Sequence, residues 1–176
     1  SLEDVLGVDV PDIPLPSADE AAASEAIDDE FEAAYRFAVV GVGQGGSRLA
    51  ETFWKLGYRR VGVINTAAQD LKPISLPEKN KLLIGGGGAG KNREKARLIF
   101  EEHREDILDF LKNTFRTNID RVLVCIGAGG GTGAGGGPIV VEICHDLCAS
   151  VGTEESPQDA KVGAVLALPS KSEGSR

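Results

Sequence analysis

Three short glycine-rich segments carry the residue types that could do chemistry in this chain, and each directly follows an apolar run. The first is GVGQGGS, from Gly41 to Ser47, and the second is GGGGAGKN, from Gly85 to Asn92. The third, from Gly127 to Gly137, holds eight glycines and the hydroxyl of Thr132. Glycine is entropically costly to order, so such clusters mark places where a backbone must come close to something. Main-chain amides left open at a helix start, aided by the helix dipole, bind phosphate. The chemistry suggested is anion binding by the backbone.

Each segment taken alone has rival readings. GVGQGGS satisfies G-x-G-x-x-G through Gly41, Gly43 and Gly46, the fingerprint of a dinucleotide site when strand precedes and helix follows. Such a site also wants an acid at the end of the second strand to hold a ribose hydroxyl. In VINTAAQD, Asn65 stands at that point and Asp70 comes late, which counts against an NAD-binding oxidoreductase. In the second segment Gly85, Gly90 and Lys91 approach the P-loop pattern. Asn92 stands where its Mg2+-binding hydroxyl belongs, and the segment follows a third strand, not a first. Neither rival accounts for a long glycine segment after a later strand. A ligand with several phosphates does, each loop wrapping part of a triphosphate with amides.

The elements that must position these loops alternate. RFAVVGVG, RRVGVIN, KLLIG, DRVLVCIG and KVGAVLALP read as buried strands. Helices are expected over Ser47–Leu56, over Asn92–Asn113 with Ala96, Ile99, Phe100, Ile107 and Leu111 on one face, and over Pro138–Cys148 with Ile139, Ile143 and Leu147 inward. Pro138 fits the first turn of the last helix. His103 falls at the edge of its helix face and reads as a surface-bordering residue, not a ligand. The segment VGTEESPQDA reads as a surface loop. Strands alternating with helices define an α/β fold: a Rossmann-like, mostly parallel sheet flanked by helices. Parallel strands are buried on both faces, hence their continuous apolar character. Ligands of such sheets bind at the carboxyl ends of the strands, where all three glycine segments fall.

The chain of 176 residues is long enough for one domain with a core, and its net charge of −8 is unevenly spread. Residues 1–35 hold eleven of the 27 acids and no Lys or Arg, leaving 16 acids against 19 bases in the remainder. Residues 1–16, with three prolines, read as an acidic disordered leader. Residues 17–35 read as a helix capped by Ser17, with Ile27, Phe31 and Ala34 on one face, docking on the domain or on a partner. Residues 36–176 form the domain proper. No basic stripe suggests nucleic acid. No apolar run approaches the roughly 18–20 residues of a membrane span, and a signal peptide is not evident. Three cysteines without paired spacing favour a reducing compartment. Cys144 and Cys148 lie one helical turn apart; they could share a metal, but buried thiols are the simpler reading.

In combination the motifs resemble the tubulin/FtsZ family of GTPases, over roughly Arg36 to Arg176. GGGTGAG, Gly129 to Gly135, is similar to that family's signature loop, and VVGVGQGGSRL to its first phosphate loop. VINTAAQ is similar to the segment usually written NTDAQ, GAGKNRE to the loop near the γ-phosphate, and LPSKSEG to PFSFEG after the fifth strand. The resemblance implies GTP or GDP as ligand with Mg2+, head-to-tail filaments and a cytoplasmic location, with neither nucleic acid nor membrane as a direct partner. It implies that Gly43, Gln44, Gly45, Gly46, Ser47 and Arg48 surround the α- and β-phosphates. Asn65 and Thr66 fall near the γ-phosphate or Mg2+, as do Gly88, Ala89 and Gly90 near the γ-phosphate. Gly130, Gly131, Thr132 and Gly133 hold phosphates at a helix start, and Glu173 meets the ribose. No protein ligand to a metal is assigned.

Three departures qualify the resemblance. Ala67 replaces the acid of NTDAQ, and Ser47-Arg48 replaces the usual Gly-Asn, with Arg48 able to turn outward instead. The family's base-binding helix and water-activating acids belong beyond Arg176, so the chain reads as the first half of a GTP-binding domain whose partner is its missing second half. No general base for hydrolysis stands out, because Glu142 and Asp146 read as solvent-facing residues of the last helix. A catalytic GTPase completed from outside this segment and a non-hydrolysing GTP-binding scaffold both remain open.

Overall fold

The computed structural model describes residues 36–116, 119–150 and 161–168. The leader and helix expected over residues 1–35, the loop over 151–160, and Glu173 lie outside them. Strand β1 (Phe37–Val42) leads into helix α1 (Gly43–Lys55) and strand β2 (Val61–Asn65). A short helix α2 (Ala68–Leu71) and a single 3-10 turn (Glu78–Asn80) precede β3 (Lys81–Leu83). Helices α3 (Arg93–Glu102) and α4 (Arg104–Phe115) carry the chain to β4 (Arg121–Gly127), followed by α5 (Gly131–Ser150) and β5 (Lys161–Ala167).

All neighbouring strands pair in parallel, in the order β3-β2-β1-β4-β5. The chain therefore winds outward from β1 to β3, returns across the sheet, and continues from β4 to β5. The reversal falls between β1 and β4, where Gly41 registers with Cys125 and Val42 with Ile126. Side chains alternate across the sheet, as the period-two geometry of a strand demands. Ala38, Val40, Val42, Val122, Val124 and Ile126 join one core cluster with Phe100, Ile107, Leu111, Ile139 and Ile143 from α3, α4 and α5. Val39, Val61, Val63 and Cys125 join the other with Ala50 and with Leu71, Ile74 and Leu76. At the opposite edge Asp120 accepts from the Arg36 main-chain N–H at 2.7 Å and from its guanidinium, tying the starts of β1 and β4. β5 is paired along one side, and its Val165 and Leu166 are exposed. No helix among the described residues is long and apolar enough to cross a membrane.

Three helix expectations need correction. The helix expected over Asn92–Asn113 is two helices, because His103 takes φ −100°, ψ 22°, outside helical geometry, and its Nδ1 pairs with Asp106 of the next turn at 2.8 Å. Helix α1 begins four residues before Ser47, so the first glycine loop is largely its opening turn. Helix α5 begins at Gly131, not Pro138, and Pro138 lies in its interior. Five of the eight glycines of the third segment are therefore helical. Their reason is packing: a Cβ at Gly136 would stand 2.5 Å from the Phe100 ring, at Gly137 2.6 Å from Ile126 Cδ1, and at Gly135 against the Arg93 carbonyl and 2.7 Å from Ala96 Cβ. Helix α5 thus lies on α3 and β4 closer than any side chain allows.

Glu142 and Asp146 are exposed as expected, and both reach Arg104, at 3.3 and 3.6 Å. The three cysteines are free and buried. Burial pushes the Cys125 thiol up to about 11 and those of Cys144 and Cys148 upward as well. At pH 8 a thiol-disulfide reagent is expected to label none of the three until denaturant is added, because the reactive thiolate is suppressed; rapid labelling of the native protein would contradict this burial. Gly135→Ala is expected to lower the unfolding free energy by about 1–3 kcal/mol through overpacking. The colliding atom is a main-chain carbonyl, which outweighs the gain in helix propensity of about 1 kcal/mol. An unchanged urea midpoint would show that α5 can shift away from α3.

Candidate functional site

The point where strand order reverses leaves a crevice between the carboxyl ends of β1 and β4, because the connections leaving them diverge to opposite faces. Glycine brings the two helices that follow into direct contact there. Gly43, at φ +73°, makes the turn from β1 into α1; a Cβ on it would stand 2.7 Å from the Gly133 nitrogen of α5. Gly45 and Gly127 are mutually apposed, a Cβ on either lying 3.0–3.1 Å from the other's Cα. Gly46 abuts the Cys125 carbonyl. Two helix N-termini therefore meet at one crevice. The N-cap of α1 is Val42, with no capping side chain, and neither α1 nor α5 has an acid in its first turn. No first-turn acid offsets the positive dipole end of either helix, which favours an anion.

The second glycine segment joins from the β3 side. A Cβ on Gly131 would stand 2.6 Å from Lys91 Cα and 2.8 Å from the Asn92 nitrogen, so this loop lies against the start of α5. Asn92 closes the loop by capping α3, its Oδ1 accepting from the Lys95 N–H at 3.0 Å. The junction is Thr66. Its carbonyl accepts from the Gly88 N–H at 2.8 Å, and its hydroxyl meets the Thr132 hydroxyl at 2.8 Å. Asn65 Oδ1 accepts from the N–H groups of Thr66 and Ala67, at 2.7 and 3.3 Å, bending the chain at the end of β2. One buried residue thus fastens the loops after β2, β3 and β4 to each other.

The expected residues divide by position. Gly43, Gly45, Gly131, Thr132 and Gly133 lie where α1 and α5 meet, while Gln44 and Gly130 are exposed at its rim. Thr66, Gly88 and Ala89 are drawn together at the second loop; Ala89 is buried and Gly90 exposed. Gly46 and Ser47 are buried beneath the crevice, and Arg48 is exposed. The Ser47 hydroxyl and the Asn65 Nδ2 are buried without a hydrogen-bond partner. Lys91 escaped the initial assignment of binding residues. It is a non-glycine residue at φ +61°, and the signal that could have found it is its place directly after Gly90 in the glycine run.

A Mg2+ ion prefers carboxylate and water oxygens in near-octahedral array. Ala67 presents a methyl 3.8 Å from where a Gly88 Cβ would stand. The hydroxyls of Thr66 and Thr132 are turned to each other. Among the described residues no cluster of His, Cys, Asp and Glu could hold a metal ion. The described residues around this crevice do not fit a protein-held divalent cation.

A five-stranded parallel sheet with three glycine loops fastened at one carboxyl edge defines a Rossmann-like α/β domain built to receive a ligand through its main chain. Residues 36–158 match the model of the tubulin/FtsZ family, GTPase domain, and the chain belongs to that family. A tubulin-like protein CetZ from Pyrococcus abyssi (strain GE5 / Orsay) is 33% identical over 149 residues, 80% of this chain and 38% of the relative. A cell division protein FtsZ from Mycoplasmopsis pulmonis (strain UAB CTIP) is 38% identical over 117 residues, 63% of this chain and 28% of the relative. The structure of the GDP-bound CetZ1 monomer from Haloferax volcanii superposes with a TM-score of 0.68 at 26% identity, over 79% of this chain and 43% of that one. An FtsZ dimer from M. jannaschii gives 0.63 at 28% identity, over 90% and 42%. The chain thus spans less than half the length of these relatives.

Thr66→Val keeps shape and removes the bridging hydroxyl. It is expected to cost about 0.5–1.5 kcal/mol of stability, the usual net worth of one hydrogen bond. In a double-mutant cycle with Thr132→Val, measured by urea unfolding, the two changes are expected to couple; strict additivity would show that the hydroxyl pair does not fasten the loops.

Proposed function

We propose that this chain is the nucleotide-binding half of a tubulin/FtsZ-like cytoskeletal GTPase. It grips GTP or GDP through the open amides of Gly43, Gln44 and Gly45 at the start of α1 and of Gly130, Gly131, Thr132 and Gly133 at the start of α5. Gly88, Ala89 and Gly90 close on the terminal phosphate, Asn65 and Thr66 support that loop, and Glu173 reaches the ribose. Gly46, Ser47 and Arg48 complete the first turn around the α- and β-phosphates. The observation that carries this reading is the meeting of two helix N-termini, neither with an acid in its first turn, at the strand-order reversal, with a third glycine loop tied to them by Thr66. The GDP-bound state of the related CetZ1 supports a guanine nucleotide as the ligand. Any Mg2+ that comes with it is carried on the nucleotide's own phosphates.

In this reading the protein associates head-to-tail into filaments in the cytoplasm, with further copies of itself and the remainder of its domain as partners. GTP hydrolysis is completed by residues from outside this segment. Catalysis of such a phosphoryl transfer is mainly positioning and electrostatic stabilisation, and the amides at α1 and α5 supply both. Ala67 favours a second reading, a GTP-binding scaffold that does not hydrolyse, because the carboxylate expected there is a methyl.

The full-length protein is expected to sediment with GTP and not with GDP, releasing phosphate as it does. GTP retained without phosphate release selects the scaffold, and no GTP binding by calorimetry removes both readings. Thr132→Ala is expected to weaken GTP binding about tenfold, the effect of one hydrogen bond to a charged oxygen. Gly131→Val is expected to nearly abolish binding, because its side chain displaces the Lys91–Asn92 main chain. Parent-like binding by both variants would place the ligand elsewhere.

A further inference from the structure

Lys91 is held in a conformation that a non-glycine residue rarely adopts, φ +61°, between Gly90 and the α3 cap Asn92. Such strain persists only where surrounding structure enforces it, and it clusters at ligand clamps. Here the enforcing neighbour is the start of α5: the Lys91 main chain is packed on Gly131 so closely that a Cβ there would stand 2.6 Å from Lys91 Cα. The side chain is exposed, and among the described residues no carboxylate pairs with it. The nearest acid along the chain, Glu94, is engaged by Arg97 at 2.9 Å. The base of a side chain that carries an ammonium on a flexible four-carbon stem is thereby held beside the start of α5, with no carboxylate paired to it among the described residues.

The strand end to which Thr66 ties this loop also has an unfilled polar contact. The Asn65 Nδ2, beside Thr66 and Ala67 at the end of β2, is fully buried and has no partner among the described residues. Ala67 faces Gly88 with a methyl, so this position brings no carboxylate to the loop. Lys91 adds a positive charge to that junction. A lysine beside helix-terminal amides acts as a point charge toward phosphate.

We propose that Lys91 supplies, at the terminal phosphate of the nucleotide, the positive charge that a carboxylate-held divalent cation would otherwise bring, so that preference for GTP over GDP survives removal of divalent cations. The inference rests on the nucleotide site proposed above. Lys91 contacts the γ-phosphate, the group that distinguishes the two nucleotides, and Ala67 leaves the second loop free of a competing carboxylate.

Affinities for GTP and GDP are to be measured by calorimetry on the full-length protein, in EDTA and in Mg2+, for the parent, Lys91→Gly and Lys91→Arg. In EDTA the parent is expected to prefer GTP by about tenfold or more, one charged hydrogen bond's worth. Lys91→Gly is expected to lose that preference while melting at the same or a higher temperature, since glycine accepts φ +61° without strain. Lys91→Arg, which keeps the charge, is expected to retain most of it. A parent that shows no GTP preference in EDTA, or a Lys91→Gly protein that keeps it, overturns the proposal. Failure of the nucleotide site itself is distinct: neither nucleotide then binds the parent in EDTA or in Mg2+.

Discussion

The rest of the structure depends on a contact between backbones. Where the strand order reverses, the first turn of α1 touches the first turn of α5 and the end of β4 through glycine, with Gly43 against Gly133 and Gly45 against Gly127. A helix needs side chains to bury itself, and between these glycines none intervene. The cohesion comes instead from the flanks, where Ile139 of α5 shares a core cluster with Phe100 and Ile126, and Ala50 of α1 shares the other with Val39 and Val63. The sheet and its two apolar layers thus support a crevice lined by main chain, where rigid elements hold open amides in place. Sites built on helices and strands hold geometry better than sites built on loops alone.

Thr66 extends that logic to the remaining loop. The end of β2 carries no glycine of its own, yet its threonine fastens Gly88 through the carbonyl and Thr132 through the hydroxyl. The second loop has few apolar anchors, Ala89 and Ile84 being its buried residues, so its position depends on such polar ties. Lys91, at φ +61° and without a carboxylate partner among the described residues, stands at the seam between that loop and α5.

Much of the candidate site was legible in one dimension because close backbone approach leaves a compositional trace in glycine. The glycine runs, their place after apolar strands and their recurrence at three strand ends marked the edge of the sheet, and the motifs in combination marked the family. The boundaries were less legible. Glycine is a poor helix former, so a run from Gly127 to Gly137 reads as loop, although residues from Gly131 onward form a helix whose glycines pack directly on α3 and β4. Hydrophobic periodicity likewise carried through His103 as one helix, since Phe100 and Ile107 lie on the same face in either case. What breaks the helix is a local backbone change that periodicity does not record.

The sequence by itself determined the alternation of strands and helices, the parallel sheet, the edge at which the glycine segments gather and the membership of the tubulin/FtsZ family. These follow from apolar patterning and residue type, which act locally and repeat along the chain. Only the tertiary structure decided which glycines face the crevice and which exist to let helices touch. Gly43 and Gly136 are the same residue type, but one turns the chain into the site and the other makes room for the ring of Phe100. It also decided that Thr66 joins three loops and that Lys91 stands against the start of α5. Those relations hold between residues tens of positions apart, and they come into being when the core closes and brings the strand ends to one edge.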